Sequence, residues 1–159
     1  MTASPKAWQT YEDVATEIFR RLKEELGLVS VEGKQLVPGK SGTNWEFDAK
    51  GIRDDEGAFV VIECKRHTTS RLDQDTVATL AWRIQDTGAA GGFIVSPFGL
   101  QAGASKVAAS ANIQSVTLNA DATPQQFAVS FLGKLLVGFP GAEARLATGQ
   151  MTPHTEEDA

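Results

Sequence analysis

Trp45-Glu46-Phe47-Asp48-Ala49-Lys50-Gly51-Ile52, followed by Ala58-Phe59-Val60-Val61-Ile62-Glu63-Cys64-Lys65, is the stretch whose reading decides the fold. Side chains of an extended chain alternate between two faces. In the first run this sets Trp45 and Phe47 on one face and Glu46, Asp48 and Lys50 on the other. In the second, Glu63 and Lys65 share a face with Phe59 and Val61, while Val60, Ile62 and Cys64 point the opposite way. Asp54-Asp55-Glu56-Gly57 between them is a polar tip ending in glycine, which reads as a hairpin loop. Pairing through that hairpin brings Asp48 close to Glu63.

Working outward, Trp8 to Leu26 carries apolar residues at helical spacing, with Gly27 as the stop. Leu28 to Val37, broken by Gly33, has strand character. A second helix is expected from about Leu72 to Thr87, with Val77, Leu80, Ala81 and Ile84 on one face and Gly88 closing it. Phe93-Ile94-Val95 suits a short buried strand. Leu100 to Ala111 is alanine-rich and helical, and Ile113 to Leu118 returns as a strand. Strand, helix and strand in that order form a βαβ unit, whose two strands run parallel. Gln125 to Phe139 fits strand or helix equally. The expected fold class is α/β: a mixed sheet with helices on both faces. Residues 1–146 form a single domain in this reading, and 147–159 a polar, flexible tail.

An acid and a base two residues apart, at the end of an otherwise apolar strand, are costly to place unless a site uses them. Asp48 and Glu63, with a backbone carbonyl, can hold a hard divalent ion while leaving positions open for water and a phosphate oxygen. Such an ion polarises phosphorus and lowers the pKa of its bound water. Lys65 can then orient or deprotonate the attacking water and neutralise charge in the transition state.

Asp48, fourteen intervening residues and then Glu63-Cys64-Lys65 resembles the PD-(D/E)xK signature of restriction-endonuclease-like nucleases. Further parts are similar to the Mrr-like branch: Tyr11-Glu12 opening the first helix, Gly39-Lys40-Ser41-Gly42 before the Asp strand, Gly92-Phe93-Ile94-Val95-Ser96 after the second helix, and the small-residue helix Ala102 to Ala111. The resemblance runs from about Tyr11 to Leu118. Phe47 stands where many relatives carry proline, and Glu63 where many Mrr-like proteins carry glutamine. The resemblance implies a restriction-endonuclease-like fold and a Mg²⁺-dependent DNA endonuclease of restriction type, with Mn²⁺ able to substitute. Asp48 and Glu63 would bind metal, Lys65 would assist catalysis, and Glu12 of the first helix would contribute indirectly. Glu12 borders the apolar face of that helix and Glu17 lies on its solvated side.

Plainer readings exist for the same residues. Asp48, Glu63 and Lys65 would also serve as a cross-strand ion-pair set. Glu12 is also a first-turn acid favoured by the helix dipole. Lys40, Ser41 and Arg66 are candidates for DNA backbone contact, but a solvated basic surface explains them too. Gln101, at a helix start, could meet an anion there or simply open the helix. Gly39-Lys40-Ser41 fails as a phosphate loop, because its other glycine is misplaced by one residue. Cys64 reads as a small core residue.

Composition limits the alternatives. The chain has 159 residues, 42% apolar and 22% charged, which suits one globular domain. A single cysteine excludes an internal disulfide, and with two separated histidines it cannot make a structural zinc site. No apolar run approaches the ~20 residues of a membrane span, and no secretory pattern opens the chain, so a cytoplasmic protein is expected. The net charge of −5 opposes unaided tight binding to DNA, though Glu156, Glu157 and Asp158 account for three of those charges. Cutting both strands needs two sites, so a homodimer or larger assembly is expected. Sequence specificity must come from loops or a partner protein. The rival readings are a structure-specific, junction-type nuclease and a non-catalytic domain binding nucleic acid or protein.

Overall fold

The computed structural model describes residues 10–54, 56–66, 69–139 and 145–146. The chain begins with helix α1 (Tyr11–Arg21), followed by strands β1 (Ser30–Glu32), β2 (Gln35–Pro38), β3 (Asn44–Phe47), β4 (Ala49–Ile52) and β5 (Phe59–Cys64). Helix α2 (Gln74–Thr87), β6 (Gly91–Ser96), α3 (Ala102–Ser110) and β7 (Ile113–Leu118) come next. Strands β8 (Phe127–Phe131), β9 (Lys134–Gly138) and β10 (Arg145–Leu146) complete it. Among the described residues the main sheet runs β1-β4-β5-β6-β7-β8-β9-β10, and β2 pairs only with β3.

Local chemistry sets the helix ends. Thr10 caps α1 by accepting the Asp13 N–H over 3.0 Å. Glu12 and Asp13 sit in its first turn, Arg20 and Arg21 in its last, as the helix dipole favours. Asp73 caps α2 through the Thr76 N–H, and Gly88 ends it in the left-handed region at φ 80°. The hairpin tip between β4 and β5 uses positive φ at Glu56 and Gly57.

The centre of the sheet is parallel, β5 to β6 and β6 to β7, with antiparallel strands on either side. β6 is buried along its whole length, as expected of a strand covered on both faces. Two cores result. On one face Val14, Ile18 and Phe19 of α1 pack on Val60, Ile62, Cys64 and Val95. On the other, Val77, Leu80 and Ile84 of α2, with Ala104 and Ala108 of α3, pack on Val61 and Ile94. This is the mixed α/β sheet with helices on both faces that the sequence predicts.

The structure differs from the sequence pattern at defined points. Trp45–Ile52 reads as one strand yet is divided at Asp48, whereas the break expected at Gly33 in Leu28–Val37 is present, with Gly33-Lys34 separating β1 from β2. The partners of β1 with β4 and of β2 with β3 follow one register, Glu32 opposite Lys50 and Gln35 opposite Phe47. Carried through the break, that register sets Lys34 across from Asp48. The ribbon turns over there: Phe47 enters the core under α2, while Ala49, two residues on, enters the core under α1. Period-two reading cannot detect such a turn, because both residues are apolar and both are buried. Helix α1 is also shorter than expected, with Leu22 as its C-cap. The ambiguous segment Gln125–Phe139 resolves into the hairpin β8–β9, turning at Leu132-Gly133 with positive φ at both. The expected tail, 147–159, lies outside the described residues.

Candidate active site

Asp48 sits in the break between β3 and β4, and its Oδ2 accepts the backbone N–H of Cys64 over 2.8 Å. Ala49 lies opposite Ile62; one step further, the same register sets Asp48 opposite Glu63. The register thus sets the two acidic residues predicted from the hairpin pattern opposite one another at the end of the β4–β5 ladder, and the charge of Glu63 acts on Asp48. Lys65, just past β5, continues the β5–β6 pairing by donating its N–H to Val95 O over 2.8 Å. Its Nζ stands 3.5 Å from Glu63 Oε2.

Burial pushes the Asp48 carboxyl up to about 6, against an ordinary value of 3.8. The Cys64 amide works in the opposite direction, the charges of Glu63 and Glu12 add to the rise, and Lys34 opposes it. Asp48 thus sits within the field of both other carboxylates named from the sequence. Burial likewise pushes the Cys64 thiol up, with Asp48 the next cause, and Cys64 packs as a core residue.

Asp48 also opens onto a cleft of about 650 Å³ between α1 and the β1–β2 turn, lined among others by Glu12, Glu17, Gly33 and Lys34. Glu12 is half-buried in it. Glu17, on the same helix, is paired with Arg20 at 3.6 Å and Arg21 at 3.7 Å. A second cavity of about 420 Å³, around Leu28, Gly91 and Phe93, lies away from these carboxylates.

The other candidates are more dispersed. Lys40 and Ser41 lie in the exposed tip of the β2–β3 hairpin. The Ser41 hydroxyl and N–H both donate to Asp86 of α2, over 2.7 and 2.9 Å. Arg66 is exposed and reaches Ala120 O at 3.3 Å. Gln101 is the exposed N-cap of α3 without a side-chain cap bond, and its Nε2 lies 3.5 Å from Arg71 O. None of these four stands in the cleft with Asp48.

Two residues of α2 that contact these groups escape the sequence reading. Arg83 of α2 is buried and donates from Nη1 to Glu63 Oε2 over 3.3 Å, and from Nη2 to the Glu46 carbonyl. Asp86, one turn later, accepts from Ser41 and from Trp45 Nε1, and these bonds hold its carboxyl below the usual range. A signal for Arg83 existed: it falls three residues after Leu80, on the apolar face of α2.

Among the described residues no three His, Cys, Asp or Glu side chains form a ready metal cage. A hard ion such as Mg²⁺ does not ask for one, since it is held by one or two carboxylates plus waters and substrate phosphate. Asp48 and Glu63 are two carboxylates of the kind such an ion needs, and a cation there would offset the burial, and the lesser charges of Glu63 and Glu12, that raise Asp48.

No helix among the described residues is long and apolar enough to cross a membrane. No curated protein matches the chain. Among solved structures it is similar to a protein of unknown function, AF1548, at 24% identity and TM-score 0.54, covering 64% of this chain and 55% of that one. It is also similar to a repair endonuclease from Pyrococcus abyssi, at 19% identity and TM-score 0.46, over 73% of this chain and 50% of that one. An EndoMS–dsDNA complex matches at 17% identity and TM-score 0.44, over 77% and 50%. The chain therefore spans about half the length of the solved structures it resembles. Residues 6–122, well over half of the chain, match the Mrr_cat restriction endonuclease family, and the chain belongs to that family.

Proposed function

We propose that this domain is a metal-dependent DNA endonuclease of restriction type, with Asp48, Glu63 and Lys65 as its active centre. The observation that carries the reading is the Cys64 N–H to Asp48 bond, which seats a half-buried carboxylate beside Glu63 at the strand end that also bears Lys65. Family membership supports it independently.

Asp48 and Glu63 would hold Mg²⁺ or Mn²⁺, which, when bound, neutralises a phosphate oxygen and acidifies a water. Lys65, part-exposed and ion-paired only loosely at 3.5 Å, is free to shift toward the scissile phosphate or the water and stabilise the developing charge. Glu12, across the cleft, would orient an outer water of the ion, since it acts on Asp48 through the same space. Lys40, Ser41, Arg66 and Gln101 would touch DNA backbone outside the centre. We further propose a homodimer or larger assembly for double-strand cutting, with sequence specificity from loops or a partner protein.

The test is cleavage of plasmid and branched DNA with Mg²⁺ or Mn²⁺ by wild type, Asp48→Asn and Lys65→Ala. Metal-dependent cutting that both substitutions abolish is expected. A strong preference for branched DNA would favour a junction-type nuclease, and absence of both cutting and metal binding would leave a binding domain.

A further inference from the structure

Glu63 is served by two cations on the same oxygen. Arg83 Nη1 lies 3.3 Å and Lys65 Nζ 3.5 Å from Oε2; among the described residues the hydrogen bond to Glu63 falls on Oε2 and none falls on Oε1. The two cations differ in setting. The Lys65 side chain is 37% exposed, that of Arg83 only 11%. Arg83 is also tied at Nη2 to the Glu46 carbonyl, and its guanidinium centre lies 4.5 Å from the Phe47 ring centroid and 5.5 Å from that of Trp45. It is held on several sides, whereas Lys65 is held on one.

The core under α2 does not need an arginine. Val77, Leu80 and Ile84 supply the apolar stripe, and burying a guanidinium is costly even when paired. Here one group goes unmatched: Nε of Arg83 is buried without a hydrogen-bond partner. Such a cost is tolerated where the group fixes something. The fixed group is Glu63.

We infer that Arg83 is a positioning residue for Glu63: by occupying Oε2 it sets the carboxylate's orientation, leaves Oε1 for a metal ion, and releases Lys65 from acting as the sole counter-ion. This rests on the reading of Asp48, Glu63 and Lys65 as a nuclease centre. Arg83 is too deeply buried to touch DNA, so its effect falls on kcat and on metal affinity, not on DNA affinity.

Charge and positioning predict opposite signs for metal binding. A nearby guanidinium repels a divalent ion, so a purely electrostatic ion pair would give tighter binding once Arg83 is replaced. A positioning role gives weaker binding, because an unsupported carboxylate loses its pre-set orientation. Groups that orient a metal's ligands contribute about 10–100-fold in affinity or activity.

The experiment compares wild type, Arg83→Met, Arg83→Lys and Asp48→Asn. Mn²⁺ binding is measured by calorimetry without DNA, and cleavage kinetics on plasmid DNA give kcat and KM. For Arg83→Met we expect Mn²⁺ affinity to fall about tenfold and kcat about 100-fold, with KM within about threefold. Arg83→Lys keeps the charge but not the fork that spans Glu63 and Glu46, so it should restore kcat only in part. It also serves as the folded comparison should the methionine variant fail to fold. Unchanged or tighter Mn²⁺ binding, or an unchanged kcat, in a folded Arg83 variant overturns the inference. If wild type neither cuts nor binds Mn²⁺, the nuclease reading falls and this inference with it. If wild type binds and Asp48→Asn does not, that reading stands and the Arg83 variants decide this inference alone.

Discussion

The N–H of Cys64 donates to Oδ2 of Asp48 over 2.8 Å, tying the break between β3 and β4 to the last residue of β5. The bond does two things. It ends the β4–β5 ladder with a side chain where a backbone carbonyl would otherwise serve, and it restrains one carboxylate oxygen. An alanine at this position would therefore remove the proposed metal ligand and also orphan a backbone donor. Asparagine can still accept from Cys64 while lacking the charge, so it is the cleaner substitution.

Asp48→Asn is accordingly expected to lower Mn²⁺ affinity and to cut kcat by about 10³-fold or more, with the fold intact. Calorimetry, circular dichroism and cleavage kinetics on one preparation check all three. Retained metal binding by the asparagine variant would show that Asp48 is not a ligand.

Lys65→Ala should leave metal affinity within a few-fold of wild type and lower kcat by about 10²–10³-fold, the range for loss of one group that stabilises transition-state charge. Lys65 lies 3.5 Å from Glu63 but does not hold it alone, since Arg83 lies at 3.3 Å. Glu63 thus stays in place without Lys65. A fall in metal affinity matching that of kcat would make Lys65 a support of Glu63 rather than a participant in the chemistry.

Glu12 and Glu17 both line the cleft that opens on Asp48, yet only Glu12 acts on the Asp48 carboxyl, and Glu17 is engaged by Arg20 and Arg21. Glu12→Gln is expected to lower kcat about tenfold, within the range for groups that support a metal's ligands, and Glu17→Gln by less than about twofold. Equal effects of the two would remove Glu12 from the site.

The hairpin tip that carries Lys40 and Ser41 is anchored, not loose. Asp86 accepts from Ser41 twice and from Trp45 Nε1 at 2.8 Å, and its own carbonyl accepts the Lys40 N–H. Gly39 makes the approach possible, since a Cβ there would lie 2.0 Å from Asp86 Oδ2 and 2.9 Å from Thr43 O. Gly39→Ala should lower the melting temperature by on the order of 5 °C, as overpacking of a tight site does. An unchanged melting temperature would mean that the tip can swing away from α2 freely.

How far these sites could be read in the sequence depends on the range of the interaction. The face assignments of β5 hold residue by residue, because a strand buried on both sides obeys a period of two throughout: Val61 packs under α2, and Val60, Ile62 and Cys64 under α1. The pairing of Asp48 with Glu63 follows from one hairpin, a local feature. Arg83 stood out only as a charged residue on the apolar face of α2, and Asp86 not at all, because the partners of both lie 20 to 45 residues away and are chosen by how α2 sits on the sheet. The division of Trp45–Ile52 at Asp48 was hidden for another reason: Phe47 and Ala49 remain apolar and buried across it, so only the identity of the core they enter changes.

The raised Asp48 carboxyl makes a prediction about stability that requires no substrate. Its value is about 6 in the folded chain and near 3.8 unfolded. Between these the native state binds the extra proton, so this group's contribution to stability falls as pH rises from about 4 to about 6. Above that window the folded chain carries an unfavourable charge; below it the effect vanishes. At full weight the shift corresponds to about 3 kcal/mol, and nearer 1 kcal/mol once solvent reaching this half-buried group is allowed for. In EDTA, Asp48→Asn should therefore melt above wild type at pH 8, with the difference closing by pH 4. Saturating Mn²⁺ should reverse the order at pH 8, because ion binding to the native state stabilises wild type alone. An asparagine variant that melts below wild type at pH 8 in EDTA would mean that the Cys64 amide and Lys34 already compensate the carboxylate, and that Asp48 is a structural group awaiting no cation.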